Sequence, residues 1–181
     1  MYVLTPGKRF VRDLTFAAIC LALCMVLPFL TGQIPEVGSM LCPMHIPVLL
    51  AGFLCGPWWA MAVGAAAPLL RFFLFGMPKL IPTGLAMCFE LAAYGVVSGL
   101  LYRLLAKRTA NLYAALIAAM LAGRIVWGAV MVVISGVSAV PFSWELFAAG
   151  AFLNAVPGIL VHILLIPVLV MALRRAGLTN E

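Results

Sequence analysis

Apolar runs of near-membrane thickness recur along the whole chain, with little polar sequence between them. The first extends from about Leu14 to Leu30, the second from His45 to Gly56-Pro57, and the third from Trp58 to about Phe75. The fourth covers about Thr83 to Leu105, the fifth about Asn111 to Ile134, and the sixth about Trp144 to Leu173. A helix needs about 20 apolar residues to cross a hydrocarbon core of about 30 Å. The second run, at about a dozen residues, is too short for a straight crossing. Composition agrees: 66% of the 181 residues are hydrophobic and 9% charged, against about 45–50% and about 25% in soluble domains. A water-soluble enzyme is therefore excluded. The expected fold is an all-α membrane protein, a six-transmembrane-helix bundle formed as one domain over residues 1–181. Such a chain has no room for a nucleotide-binding domain, so active transport would need a partner or a gradient. No internal repeat or linker divides it.

A net charge of +6 and a pI near 9.4 would suit nucleic acid, but the placement of the charges does not. Basic residues punctuate the apolar runs. Lys8, Arg9 and Arg12 precede the first run, Arg103, Lys107 and Arg108 follow the fourth, and Arg174 and Arg175 follow the sixth. The opposite side carries Lys79, with Glu36 and Glu145. The positive-inside rule then puts both termini in the cytoplasm. The first run has no convincing cleavage site after its basic start and is expected to remain as a helix. Cys20, Cys24, Cys55 and Cys88 lie within apolar runs and Cys42 in a loop, with no C-x-x-C pair. They read as small hydrophobes.

Charges within a bilayer are costly unless paired or wetted, so they mark candidate sites. Glu90 lies in the fourth run and Arg124 in the fifth. Two readings stand: a salt bridge locking two helices, or a guanidinium that holds a partner and still grips an anion. Arg71, one turn before the end of the third run, can either snorkel to headgroups or meet a substrate. Trp127 follows Arg124 by one turn and shares its face, a pairing that suits a small ligand with an anionic group and an apolar portion. Gln33 and Lys79 in loops, with His45 at the start of the second run, can close over a pocket. Asn154 needs a hydrogen-bond partner, which a ligand or a neighbouring helix can supply; His162 reads as structural. Cys42-Pro43-Met44-His45 is a lone C-x-x-H with no companion, so no metal is expected. No cofactor is expected, and no nucleophile, base and acid are grouped, so the chain does not read as an enzyme. Small-residue pairs at helical spacing, Ala18/Ala22, Gly52/Gly56 and Gly95/Gly99, mark candidate helix contacts.

Six runs, cytoplasmic termini, the Ala18/Ala22 pair and the stretch Pro43-Met44-His45-Ile46-Pro47-Val48-Leu49-Leu50-Ala51-Gly52-Phe53 before Gly56-Pro57 carry a family resemblance. The run Gly123-Arg124-Ile125-Val126-Trp127-Gly128 and the ending Ile166-Pro167 add to it. Over its whole length the chain resembles a substrate-binding S component of energy-coupling factor (ECF) vitamin transporters. The resemblance implies a cell-membrane subunit that binds a vitamin or similar micronutrient near the outer face. It also implies a membrane scaffold (T) component and two ATPase subunits as partners, with Ala18 and Ala22 facing the scaffold. The implied pocket takes in Gln33, Lys79, Glu90, Arg124, Trp127 and Asn154, with Arg71 as a further candidate. Met44-His45-Ile46-Pro47 is similar to the start of nickel and cobalt members, which bind metal through a free terminal amine. Here the tetrapeptide is internal, which argues against the metal subgroup. A buried arginine suits a carboxylate such as pantothenate, or a flavin or pterin. A stand-alone secondary carrier using Glu90 and Arg124, or a structural membrane protein, are the alternatives.

Overall fold

The computed structural model describes residues 5–30, 34, 38, 40–106, 108–137 and 155–178. Gln33, Glu36, Lys107, Glu145, Asn154 and the start of the sixth run lie outside the described residues. Six helices are bounded within it: α1 (Pro6–Leu30), α2 (His45–Cys55), α3 (Pro57–Phe75), α4 (Leu85–Leu104), α5 (Thr109–Val137) and α6 (Val156–Arg175). A kinked turn, Leu80–Gly84, in which Ile81 is extended at φ −117° and ψ 131°, leads into α4. No strand occurs among the described residues. Five helices are long and apolar enough to cross a membrane: α1, α3, α4 with its leading turn, α5 and α6. The exterior is apolar as well, with Trp58, Phe73, Ile125 and Leu164 exposed. These features define a multi-pass membrane protein.

α1 begins before its apolar run, so Lys8, Arg9 and Arg12 ride in its first turns. Asp13, buried there, is neutralised by Arg12 at 2.7 Å. α2 has 11 residues, and all but Ile46 are buried. A helix that is apolar all round belongs in an interior, and α2 is enclosed by α1, α3, α4 and α6. Its C-terminal end is held by Arg103, whose Nη2 donates to the Cys55 carbonyl at 3.2 Å. Gly56 then reverses the chain at φ 90°, a backbone conformation open to glycine at little cost. Pro57 starts α3 at once, in the first helical position where a missing N–H costs nothing.

α4 is the central helix, packed on α2, α3 and α5. Lipid tails are as apolar as leucine, so helices in a bilayer gain most by close backbone approach. Gly52, Gly64, Gly95 and Gly99 supply it. A Cβ on Gly95 would lie 2.6 Å from the Ala60 backbone, and one on Gly99 would lie 2.6 Å from the Pro57 nitrogen. The same atom on Gly52 would meet Ser98 of α4. The glycine pairs seen in the sequence are therefore the seams that join α4 to α2 and α3.

The two ends of the bundle differ. At one, Phe10 of α1 packs edge-on against Trp59 of α3 at 5.4 Å. Tyr102, Arg108, Thr109 and Arg174 gather there around a small gap. Both the start of α1 and the finish of α6 thus belong to this basic end. At the other end Phe29 meets Phe75 at 5.0 Å, and the bundle opens into a cavity.

Candidate functional site

The cavity has a volume of about 470 Å³, within the range of small-molecule sites. It is mainly apolar, with Pro28, Ile34, Met44, Met77, Met87 and Trp127 in its wall. Its polar groups are Cys42, His45, Arg71, Lys79, Thr83, Glu90 and Arg124.

Local structure explains how each arrives. The Cys42 N–H donates to the Gly38 carbonyl at 2.9 Å, and the Gly38 N–H to the Ile34 carbonyl at 2.8 Å. Cys42 stands at φ 46°, and His45 follows as the first residue of α2. Glu90 and Tyr94 are one turn apart on α4, and the Tyr94 hydroxyl donates to Glu90 Oε1 at 3.3 Å. Arg124 of α5 reaches the same oxygen with Nη1 at 3.0 Å. Its Nη2 points at Cys42 Sγ, 3.7 Å away. His45 Nε2 stands 3.4 Å from Glu90 Oε1, without the alignment of a hydrogen bond. Gly123 makes the α4–α5 approach possible: a Cβ there would lie 2.8 Å from Tyr94 Cζ. Helices α2, α4 and α5 thus converge on one carboxylate that is 1% exposed.

His45 packs edge-on against Tyr94 at 5.1 Å and lies 6.0 Å from the His162 ring of α6. Neither ring nitrogen of His45, nor Nε2 of His162, has a hydrogen-bond partner among the described residues. Unpaired buried donors and acceptors are costly. His45 lines the cavity, so a ligand in it can satisfy that ring.

Arg71 belongs to the cavity wall, with 4% exposure. Pro28 lies in the last turn of α1 and brings no N–H to it. In that turn the Met25 carbonyl accepts from Arg71 Nη1 at 2.9 Å. Phe29 and Phe75 flank the guanidinium, each centroid 5.3 Å from its Cζ. Lys79 is exposed at the rim, immediately before the kinked turn.

Five of the residues singled out from sequence, Arg71, Lys79, Glu90, Arg124 and Trp127, therefore share one cavity wall. Gln33 and Asn154 lie outside the described residues. Ala18 and Ala22 are far from this wall in role: both are exposed along one face of α1. The sequence reading missed Tyr94 and Cys42. The first carried a signal, its one-turn spacing from Glu90. The second reads as a small hydrophobe unless the fold brings Arg124 to it. His162, expected as structural, sits beside His45 at the edge of the polar cluster.

An apolar bundle with a ligand-sized cavity at one end and buried polar groups in its wall defines a membrane-embedded small-molecule binding protein. The family model for the substrate-specific component of ECF transporters matches residues 12–179. The chain belongs to that family, whose members are transporter subunits and not enzymes. Membership implies association with a T component and ATPases and a small-molecule substrate. No curated protein and no solved structure gives a significant match.

Proposed function

We infer that this chain is the high-affinity S component of an ATP-driven ECF importer in the cell membrane, a single domain serving vitamin-type uptake. Its termini are cytoplasmic and the cavity opens to the outside. The substrate is a vitamin or related micronutrient, with pantothenate or another small carboxylate as the preferred class. Gln33, Arg71, Lys79, Glu90, Arg124, Trp127 and Asn154 form the contact set. Ala18 and Ala22 meet the scaffold, and two ATPase subunits supply the energy that this chain has no motif to harvest.

One observation carries the reading: a cavity of about 470 Å³ whose wall brings Glu90, Arg124 and His45 together. A purely structural charge pair would need no such cavity beside it. Apolar walls make room for a ligand's carbon skeleton, while a few convergent polar groups fix its orientation. Mass spectrometry of small molecules released from the purified protein tests this directly. Release of a vitamin-sized molecule that rebinds the emptied protein is expected. Uptake that persists in cells lacking any ECF ATPase would instead identify a secondary carrier.

A further inference from the structure

Among the described residues three cations, Arg71, Lys79 and Arg124, face the cavity against one acid, Glu90. Their charge is not evenly available. Arg124 spends its charge on Glu90 at 3.0 Å, and an anion brought to it would also approach that carboxylate. In a low-dielectric wall this repulsion is strong. Arg71 differs. Among the described residues no carboxylate stands within ion-pair distance of it. The Met25 carbonyl is its hydrogen-bond partner there, which leaves most of its five donors unused. Phe29 and Phe75 hold the guanidinium between them by cation–π attraction, each centroid 5.3 Å from Cζ. A buried guanidinium with its charge uncompensated is costly; an anionic ligand removes that cost.

We propose that the ligand binds with a defined polarity: its carboxylate on Arg71, with Lys79 closing over it, and its neutral polar end on the Glu90–Arg124–His45 cluster. This rests on the S-component reading and specifies its substrate class as a small monoanion with an apolar middle and a neutral hydrogen-bonding end. Glu90 there accepts from a ligand hydroxyl or amide, and the unpaired His45 ring supplies a second contact.

The test is equilibrium binding to the full-length protein in nanodiscs, using matched acid and neutral probes. Pantothenate is paired with its alcohol, nicotinate with nicotinamide, and biotin with its carboxamide. At least one acid should bind about tenfold or more tightly than its neutral partner, as one lost charge-assisted contact requires. Arg71→Gln should bring that ratio to within about twofold, whereas Arg71→Lys should keep part of it. Arg124→Met should weaken both members by a similar factor and leave the ratio intact. Simple damage to the fold cannot mimic this, because it lowers both members alike. Should Arg71→Gln fail to fold, Lys79→Gln at the exposed rim decides by a reduced ratio. Equal binding of acid and neutral probes, no acid bound, a ratio unmoved by Arg71→Gln and Lys79→Gln, or a ratio abolished by Arg124→Met would each overturn the proposal. Release of a neutral vitamin from the wild type would overturn it too, yet leave the S-component function standing.

Discussion

Glu90 takes donors from two helices on one oxygen, with His45 of a third beside it, so its neighbours are not interchangeable. Arg124→Met strands an enclosed carboxylate and should cost about 3–5 kcal/mol of stability, the range for breaking a buried ion pair from one side. Adding Glu90→Gln should recover most of it. Thermal unfolding of the two single variants and the double variant in one detergent measures both effects; additive losses would show that the pair is not coupled. Sequence made this partnership legible, because Glu90 was the one acid clearly inside an apolar run opposite a buried arginine. Arg71 was not legible in the same way. One turn from a helix end, the same residue can reach headgroups or turn inward. Its hydrogen bond to the Met25 carbonyl of α1 comes from a residue far away in sequence, which the spacing along α3 could not show.

Helices in this bundle meet through glycine, and the consequences are specific to position. Gly95→Ala drives a Cβ into the Ala60 backbone, which cannot give way as a flexible side chain would. A loss of about 1–3 kcal/mol is expected, the usual range for overpacking. Gly7 offers the control, since a Cβ there meets nothing within 4 Å. Gly7→Ala should leave unfolding unchanged or raise it slightly. Equal losses at both positions would remove close approach as the explanation. Gly123→Ala acts on the site instead: by pushing Tyr94 it should weaken ligand binding about tenfold or more while the helices stay assembled. Helix ends at glycine and proline breakers and the brevity of α2 were readable from the runs, whereas α1 starts eight residues before its apolar run, at Pro6, because its basic first turns carry no apolar signal. What sequence could not say is which helix is central. That depends on how glycines on different helices interlock, and one helix's spacing says nothing of its neighbour's.

At the scale of the whole chain, the basic end and the cavity end must face different compartments if positive charge sets orientation. Single cysteines in a cysteine-free background should be labelled from outside intact cells at position 79, and only after permeabilisation at positions 108 and 175. Outside labelling at 108 would invert the proposed topology. Assembly gives the second check. Ala18 and Ala22 lie on an exposed face of α1, away from the cavity lining. Replacing both with tryptophan should abolish co-purification with the T component and leave ligand affinity within about twofold. Intact co-purification would exclude that face as the contact.

The brevity of α2 reaches further than packing. Its 11 residues rise about 16 Å, roughly half of a hydrocarbon core of about 30 Å. Its neighbours are each long enough to cross the full distance, so past the His45 end of α2 a space remains between them, walled in part by the loop residues Ile34, Cys42, Pro43 and Met44. The cavity occupies it, floored by His45 at the first turn of α2. The length of α2 thus bounds the depth of the cavity.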